Sequence, residues 1–107
     1  MKLNDYQKLS QRTIPQSNKF DNLSNYALGL CGESGEVADE LKKVIYHGHS
    51  LDVERVEKEL GDVLHYLSGI ATLLDIDLER VAQSNIDKLK KRYPNGFKKS
   101  DSINRII

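Results

Sequence analysis

From Asn22 to Arg92 the apolar residues recur three and four positions apart and almost never alternate. That spacing lays them along one face of a helix turning ~100° per residue, and it leaves no signal for strands or two-residue hairpins. A short first helix is predicted over about Asp5 to Arg12. It stops before Ile14-Pro15, because a residue preceding proline avoids the helical region. Gln16 to Lys19 reads as a loop. The second helix is long, roughly Asn22 to Tyr46, with Asp21 as its N-cap, and Gly48 within His47-Gly48-His49-Ser50 stops it. Ser50 or Asp52 can cap a third helix over about Val53 to Leu74. After the turn Asp75-Ile76-Asp77, with Asp77 as cap, a fourth helix runs from Leu78 to Arg92 and ends at Tyr93-Pro94-Asn95-Gly96. Connections this short make neighbouring helices antiparallel. The expected fold is therefore all-α, a small antiparallel helical bundle of about four helices.

The 107 residues fit one domain, with 1–20 as a short helix and loop and 98–107 as a C-terminal tail. The tail is polar until Ile103, Ile106 and Ile107, an apolar end that reads as a docking strip on the body or on a neighbouring subunit. Only 38% of the residues are hydrophobic and 30% are charged, so the core is modest and oligomerisation, as a homo-dimer or homo-tetramer, is expected to complete it. Leu60, Val63, Leu64, Leu67, Ile70, Ala71 and Leu74 form the core stripe of the third helix. Cys31, the single cysteine, excludes an internal disulfide and a cysteine zinc site and reads as a small core residue. With no apolar run of ~20 residues and no signal-peptide pattern, the expectation is a cytoplasmic protein without a membrane partner.

A net charge of zero gives no global attraction to nucleic acid, and none is expected as a partner. The local distribution is uneven. Glu33 to Asp62 holds nine acids and four bases, whereas Lys88 to Lys99 holds six bases and no acid. This separation suits a metal and a phosphorylated ligand. It equally suits simple attraction between helices.

The second and third helices share a pattern: Glu33-Ser34-Gly35-Glu36-Val37 and Glu59-Leu60-Gly61-Asp62-Val63. The match extends outward, with Leu30 corresponding to Val56, Leu41 to Leu67 and Val44 to Ile70. Each helix thus carries two carboxylates, one turn apart, beside its apolar stripe. The midpoint between the pairs is His47-Gly48, the predicted turn, so an antiparallel hairpin brings all four carboxylates to one level roughly 20 Å from that turn. Such a cluster needs protons or a cation, and oxygen-only ligands favour Mg²⁺ or Mn²⁺. Gly35 and Gly61 are expected to allow close helix approach at that level. The plainer alternative is a solvated acidic face. On the fourth helix Asn85, Lys88 and Arg92 share a face that can hold phosphate oxygens, or can simply favour the helix dipole. His47 and His49 read as turn residues. Asp62-xx-His65 is half of a di-iron carboxylate pattern, and the chain has no second half.

Glu33-xx-Glu36 followed by Glu59-xx-Asp62 resembles the MazG-like all-α nucleoside triphosphate pyrophosphohydrolases. So do Gly29-Leu30-Cys31-Gly32-Glu33-Ser34-Gly35-Glu36-Val37-Ala38, Glu59-Leu60-Gly61-Asp62-Val63-Leu64 and the closing Asn85-xx-Lys88-xxx-Arg92-Tyr93-Pro94-Asn95-Gly96-Phe97. The resemblance implies Mg²⁺-dependent hydrolysis of (d)NTPs to monophosphate and pyrophosphate, with Mn²⁺ as a substitute. It implies Glu33, Glu36, Glu59 and Asp62 as metal ligands and Lys88 and Arg92 as phosphate contacts. Asn85 and Tyr66 are implied as further ligand contacts. The general base is expected among the carboxylates, Glu36 first, with Glu33 as its catalytic companion. Two features depart from the pattern: Gly32 stands where relatives often have an acid, and His65 where many have tryptophan. A non-catalytic nucleotide- or metal-binding regulatory module and a purely structural helical assembly are the competing classes.

Overall fold

The computed structural model describes residues 1–105. Among them the chain is all-α: α1 (Leu3–Ser10), a 3-10 turn (Gln11–Thr13), α2 (Lys19–His47), α3 (Val53–Leu73), α4 (Leu78–Arg92) and α5 (Lys99–Ile103). Among the described residues no helix is long and apolar enough to cross a membrane.

The caps explain where the boundaries moved. α2 starts three residues before its expected first residue because Asn18, not Asp21, is the cap: Asn18 Oδ1 accepts from Asp21 N (2.8 Å) while Asn18 Nδ2 donates to the Asp21 carboxylate (2.7 Å). The buried Asn22 then donates to Pro15 O (3.0 Å) and fastens the preceding loop to the helix. Gly48 ends α2 at φ 74°, a left-handed conformation that lets His49 N reach Lys43 O (3.1 Å). Asp52 caps α3 by accepting from Arg55 N (3.2 Å). Asp77, expected to cap α4, occupies the cap position without a side-chain cap bond. Its work is done from elsewhere: Leu78 N donates to Gln7 Oε1 (2.8 Å) and Glu79 N to Asn4 Oδ1 (3.1 Å), both on α1. Gln7 and Asn4 are 71 and 75 residues from their partners, beyond any local capping pattern.

The α2–α3 hairpin is the scaffold. Its two helices interlock at two tyrosine–glycine pairs, the members of each pair equidistant from the His47-Gly48 turn. Tyr26 of α2 lies on Gly69 of α3, where a Cβ would sit 2.2 Å from the ring, and Tyr66 of α3 lies on Gly29 of α2, where it would sit 2.3 Å away. The Tyr26 and Tyr66 rings meet edge to face at 5.2 Å. Gly35 and Gly61, expected to mark close approach, have nothing within 4 Å. Both are exposed, about 200° round their helices from Glu33 and Glu59, whereas Gly29 and Gly69 lie in the seam one to two turns further from the hairpin tip.

α1 and the 3-10 turn lie across α3 and the start of α4. His65 pins them: Ser10 Oγ is 2.8 Å from His65 Nδ1 and Thr13 Oγ1 is 3.3 Å from Nε2. With both ring nitrogens engaged by hydroxyls, His65 serves as a structural clamp rather than a metal ligand.

The core of one chain is small: Tyr26, Ala71 and Leu78 are its buried apolar residues among those described. Leu60 (53% exposed) and Leu74 (46%), expected in the core, are open to solvent, and so is Cys31. A two-helix hairpin covers only one side of each stripe, so residues on the flanks stay uncovered. The radius of gyration, 16.8 Å, exceeds the ~13 Å of a compact chain of this length and reflects the same openness. Ile103 is 82% exposed and does not dock on the body; Ile106 and Ile107 lie outside the described residues.

Candidate active site

One register places the acidic residues. Glu33 and Asp62 are equidistant from the Gly48 turn, as are the two tyrosine–glycine pairs, so the seam that locks the hairpin also sets the carboxylates opposite each other. Glu33, Glu59 and Asp62 each bring one oxygen within 4.8 Å of the others. Glu33 and Glu59 are half-buried at the stripe's edge, and Asp62 is exposed.

The expected group of four is a group of three. Glu36 is exposed and lies outside that cluster. Like charges repel, and a long side chain at the rim turns to water at little cost. Its charge still reaches Glu33. The Glu33 carboxyl is held above its ordinary value, first by partial desolvation at the seam, then by a hydrogen bond with Glu59, and further by the negative charges of Asp62, Glu59 and Glu36. Two carboxyls this close resist carrying both charges, and a cation among them would relieve that repulsion. All the donors are oxygen, so the set fits a hard divalent cation and does not fit a soft one.

α4 carries the candidate cations. Asn85 and Lys88 line a cleft of about 680 Å³ between α3 and α4, together with Leu67, Ser84 and Arg80. Arg80 was not singled out by the sequence reading. Its spacing was the available signal: Arg80, Ser84 and Lys88 succeed one another at four-residue intervals on one helix face. None of the clustered carboxylates lines this cleft. Arg92, half-buried, closes the basic last turn of α4, where it also favours the helix dipole. Tyr66 is half-buried in the seam, with the rings of Tyr26 and His65 each 5.2 Å away. The structure thus keeps two candidate groups apart, an acidic one on α2 and α3 and a basic one on α4. Further along α2 Asp39 pairs with Lys43 (3.0 Å) and Glu40 with Arg55 (3.0 Å), whereas the cluster at Glu33 is made of carboxylates alone.

An all-α chain with a carboxylate cluster on one hairpin and a basic face on a further helix suits a phosphate-handling hydrolase, and the comparisons specify which. The profile of the MazG nucleotide pyrophosphohydrolase domain matches residues 21–97. The chain belongs to this family of enzymes, hydrolases acting on acid anhydrides. It is 33% identical over 90 residues to the Gene 37 protein of Mycobacterium phage L5, covering 80% of this chain and 79% of that one. It is 33% identical over 82 residues to dCTP pyrophosphatase 1 of Rattus norvegicus, covering 71% of this chain and 48% of the rat protein, about half its length. No solved structure matches the chain.

Proposed function

We propose that this protein is a Mg²⁺-dependent nucleoside triphosphate pyrophosphohydrolase, converting (d)NTPs to (d)NMP and pyrophosphate in a house-cleaning role on the cytoplasmic nucleotide pool. The observation that carries the reading is the convergence of Glu33, Glu59 and Asp62. Glu36, one turn from Glu33, completes the ligand set once a cation offsets the repulsion. Bound Mg²⁺ supplies neutralisation of phosphate charge and a more acidic water. The protein's own residues do the rest. A carboxylate at the rim, Glu36 or Glu33, accepts the proton of the attacking water. The water oxygen bonds to the α-phosphorus in line, the bond from that phosphorus to the bridging oxygen breaks, and pyrophosphate leaves with the electron pair. Lys88, Arg92 and Asn85 hold phosphate oxygens, the arginine as a fork and the lysine as a point charge. Tyr66 contacts the ligand from the seam.

The test is a turnover screen of standard and modified NTPs and dNTPs, dCTP among them, with and without Mg²⁺ or Mn²⁺. Monophosphate and pyrophosphate in equal amounts, dependent on the cation, are expected. Diphosphate and phosphate would move the attacked bond and overturn the reading.

The reading includes self-association as a dimer or tetramer. Leu41, Leu60, Leu74 and Leu89, 38–53% exposed, are the uncovered stripes that a second copy would bury. Sedimentation at micromolar concentration is expected to give a dimer or tetramer mass; a monomer across the whole range would remove this part of the reading.

A further inference from the structure

The α1 helix holds the start of α4 by a set of side-chain hydrogen bonds. Gln7, only 9% exposed, uses its whole amide. Its Nε2 donates to Thr72 Oγ1 (3.2 Å) at the end of α3 and to Ile76 O (2.8 Å) in the turn, and its Oε1 accepts from Leu78 N (2.8 Å) at the start of α4. One turn earlier Asn4 and Glu79 exchange a second pair: Glu79 N donates to Asn4 Oδ1 (3.1 Å) and Asn4 Nδ2 to Glu79 Oε2 (2.8 Å). Beyond this junction α4 touches α3 over a short stretch and does not pack along α2. The helix is a lever mounted on a hydrogen-bonded pivot.

We propose that Gln7, seconded by Asn4, is a positioning residue for substrate binding: it fixes the angle at which α4 presents Lys88 and Arg92. The inference rests on the reading of α4 as the phosphate-holding helix. Lys88 and Arg92 lie about 15 and 21 Å along the helix from Leu78. A 10° error at the pivot therefore displaces them by about 2.6 and 3.7 Å, further than a hydrogen bond to a phosphate oxygen tolerates. The carboxylate cluster is on α2 and α3, so the same error leaves it in place.

The variants are Gln7→Leu, which keeps the side chain's bulk and deletes its three bonds, and Asn4→Ala, at a half-exposed site that folding tolerates. Lys88→Met runs alongside. Steady-state kinetics with a cleaved dNTP is the first readout, and calorimetric Mg²⁺ binding without nucleotide is the second. Gln7→Leu is expected to raise KM about 10-fold and Asn4→Ala about 3-fold, with kcat per folded enzyme within about 2-fold. Mg²⁺ affinity stays at the parent value. A loss of stability alone would lower the melting temperature without moving KM of the folded fraction. If Lys88→Met raises KM and neither α1 variant does, the positioning role is wrong and the phosphate role of α4 survives. If Lys88→Met leaves KM unchanged, the phosphate role falls and this inference falls with it. Should Gln7→Leu not fold, Asn4→Ala decides by the same criteria.

Discussion

Replacing Glu59 by glutamine is expected to lower Mg²⁺-dependent kcat/KM by about 100- to 1,000-fold, the scale on which one preorganised electrostatic contact matters in a reacting site. The same substitution is expected to stabilise the metal-free protein. Both follow from the three oxygens within 4.8 Å. With a cation, the group is a ligand set, and removing one charge weakens it. Without a cation, the group is a repulsive cluster, and removing one charge relieves it.

The pH dependence separates the two states. The Glu33 carboxyl titrates above its ordinary value of 4.5 in the folded protein. Between that value and the raised one, the native state holds a proton that the unfolded chain has released. The Glu33 contribution to metal-free stability is therefore greatest below the ordinary value and is lost as pH rises through the folded one, opposite in sign to that of Asp39, whose carboxyl is lowered by Lys43. Mg²⁺ must displace that proton, so its apparent affinity rises with pH over the same interval. Thermal melts of parent and Glu59→Gln, with EDTA or Mg²⁺, test this. A Glu59→Gln protein that is less stable than the parent without metal, or still stabilised by Mg²⁺ to the parent's extent, would mean that these carboxylates are a solvated face.

The hairpin was legible because a single register governs it. The repeated motif and the glycine turn fix which positions of α2 and α3 are level, and Glu33 opposite Asp62 follows from that alone. What the pattern could not reveal was which glycines meet a neighbour. Gly35 and Gly61 flank the acids and look like contact points, but they are exposed on the far side of their helices, whereas Tyr26 and Tyr66 each need a cradle without a Cβ. The N-terminal contribution was equally hidden. Gln7 on a short polar helix has no local signature of a cap, because its partner N–H arrives from 71 residues away. The exposure of Leu60, Leu74 and Cys31 has a third cause: periodicity identifies an apolar face but not how many neighbours come to cover it.

The glycines give the second large effect, and its sign differs by position. Alanine at a helix-interior glycine ordinarily gains about 1 kcal/mol. At Gly61, with nothing within 4 Å, that gain is expected in full, a rise of about 4–8 °C in Tm. At Gly69 a new Cβ would lie 2.2 Å from a ring carbon of Tyr26, which is 3% exposed and hemmed in by the Tyr66 and His65 rings. The ring edge cannot swing aside as the end of a flexible chain would, and overpacking costs of about 1–3 kcal/mol or more outweigh the helical gain. Gly69→Ala is therefore expected to lower Tm by roughly 10 °C, measured at one protein concentration, since self-association would shift Tm by mass action. Tyr26→Leu supplies the control. It removes the clashing ring, so Gly69→Ala should cost far less in that background than in the parent, a coupling that a double-mutant cycle reads directly. Equal costs in both backgrounds would show that the seam does not depend on Tyr26 seated on Gly69, and the register that sets Glu33 opposite Asp62 would need another anchor.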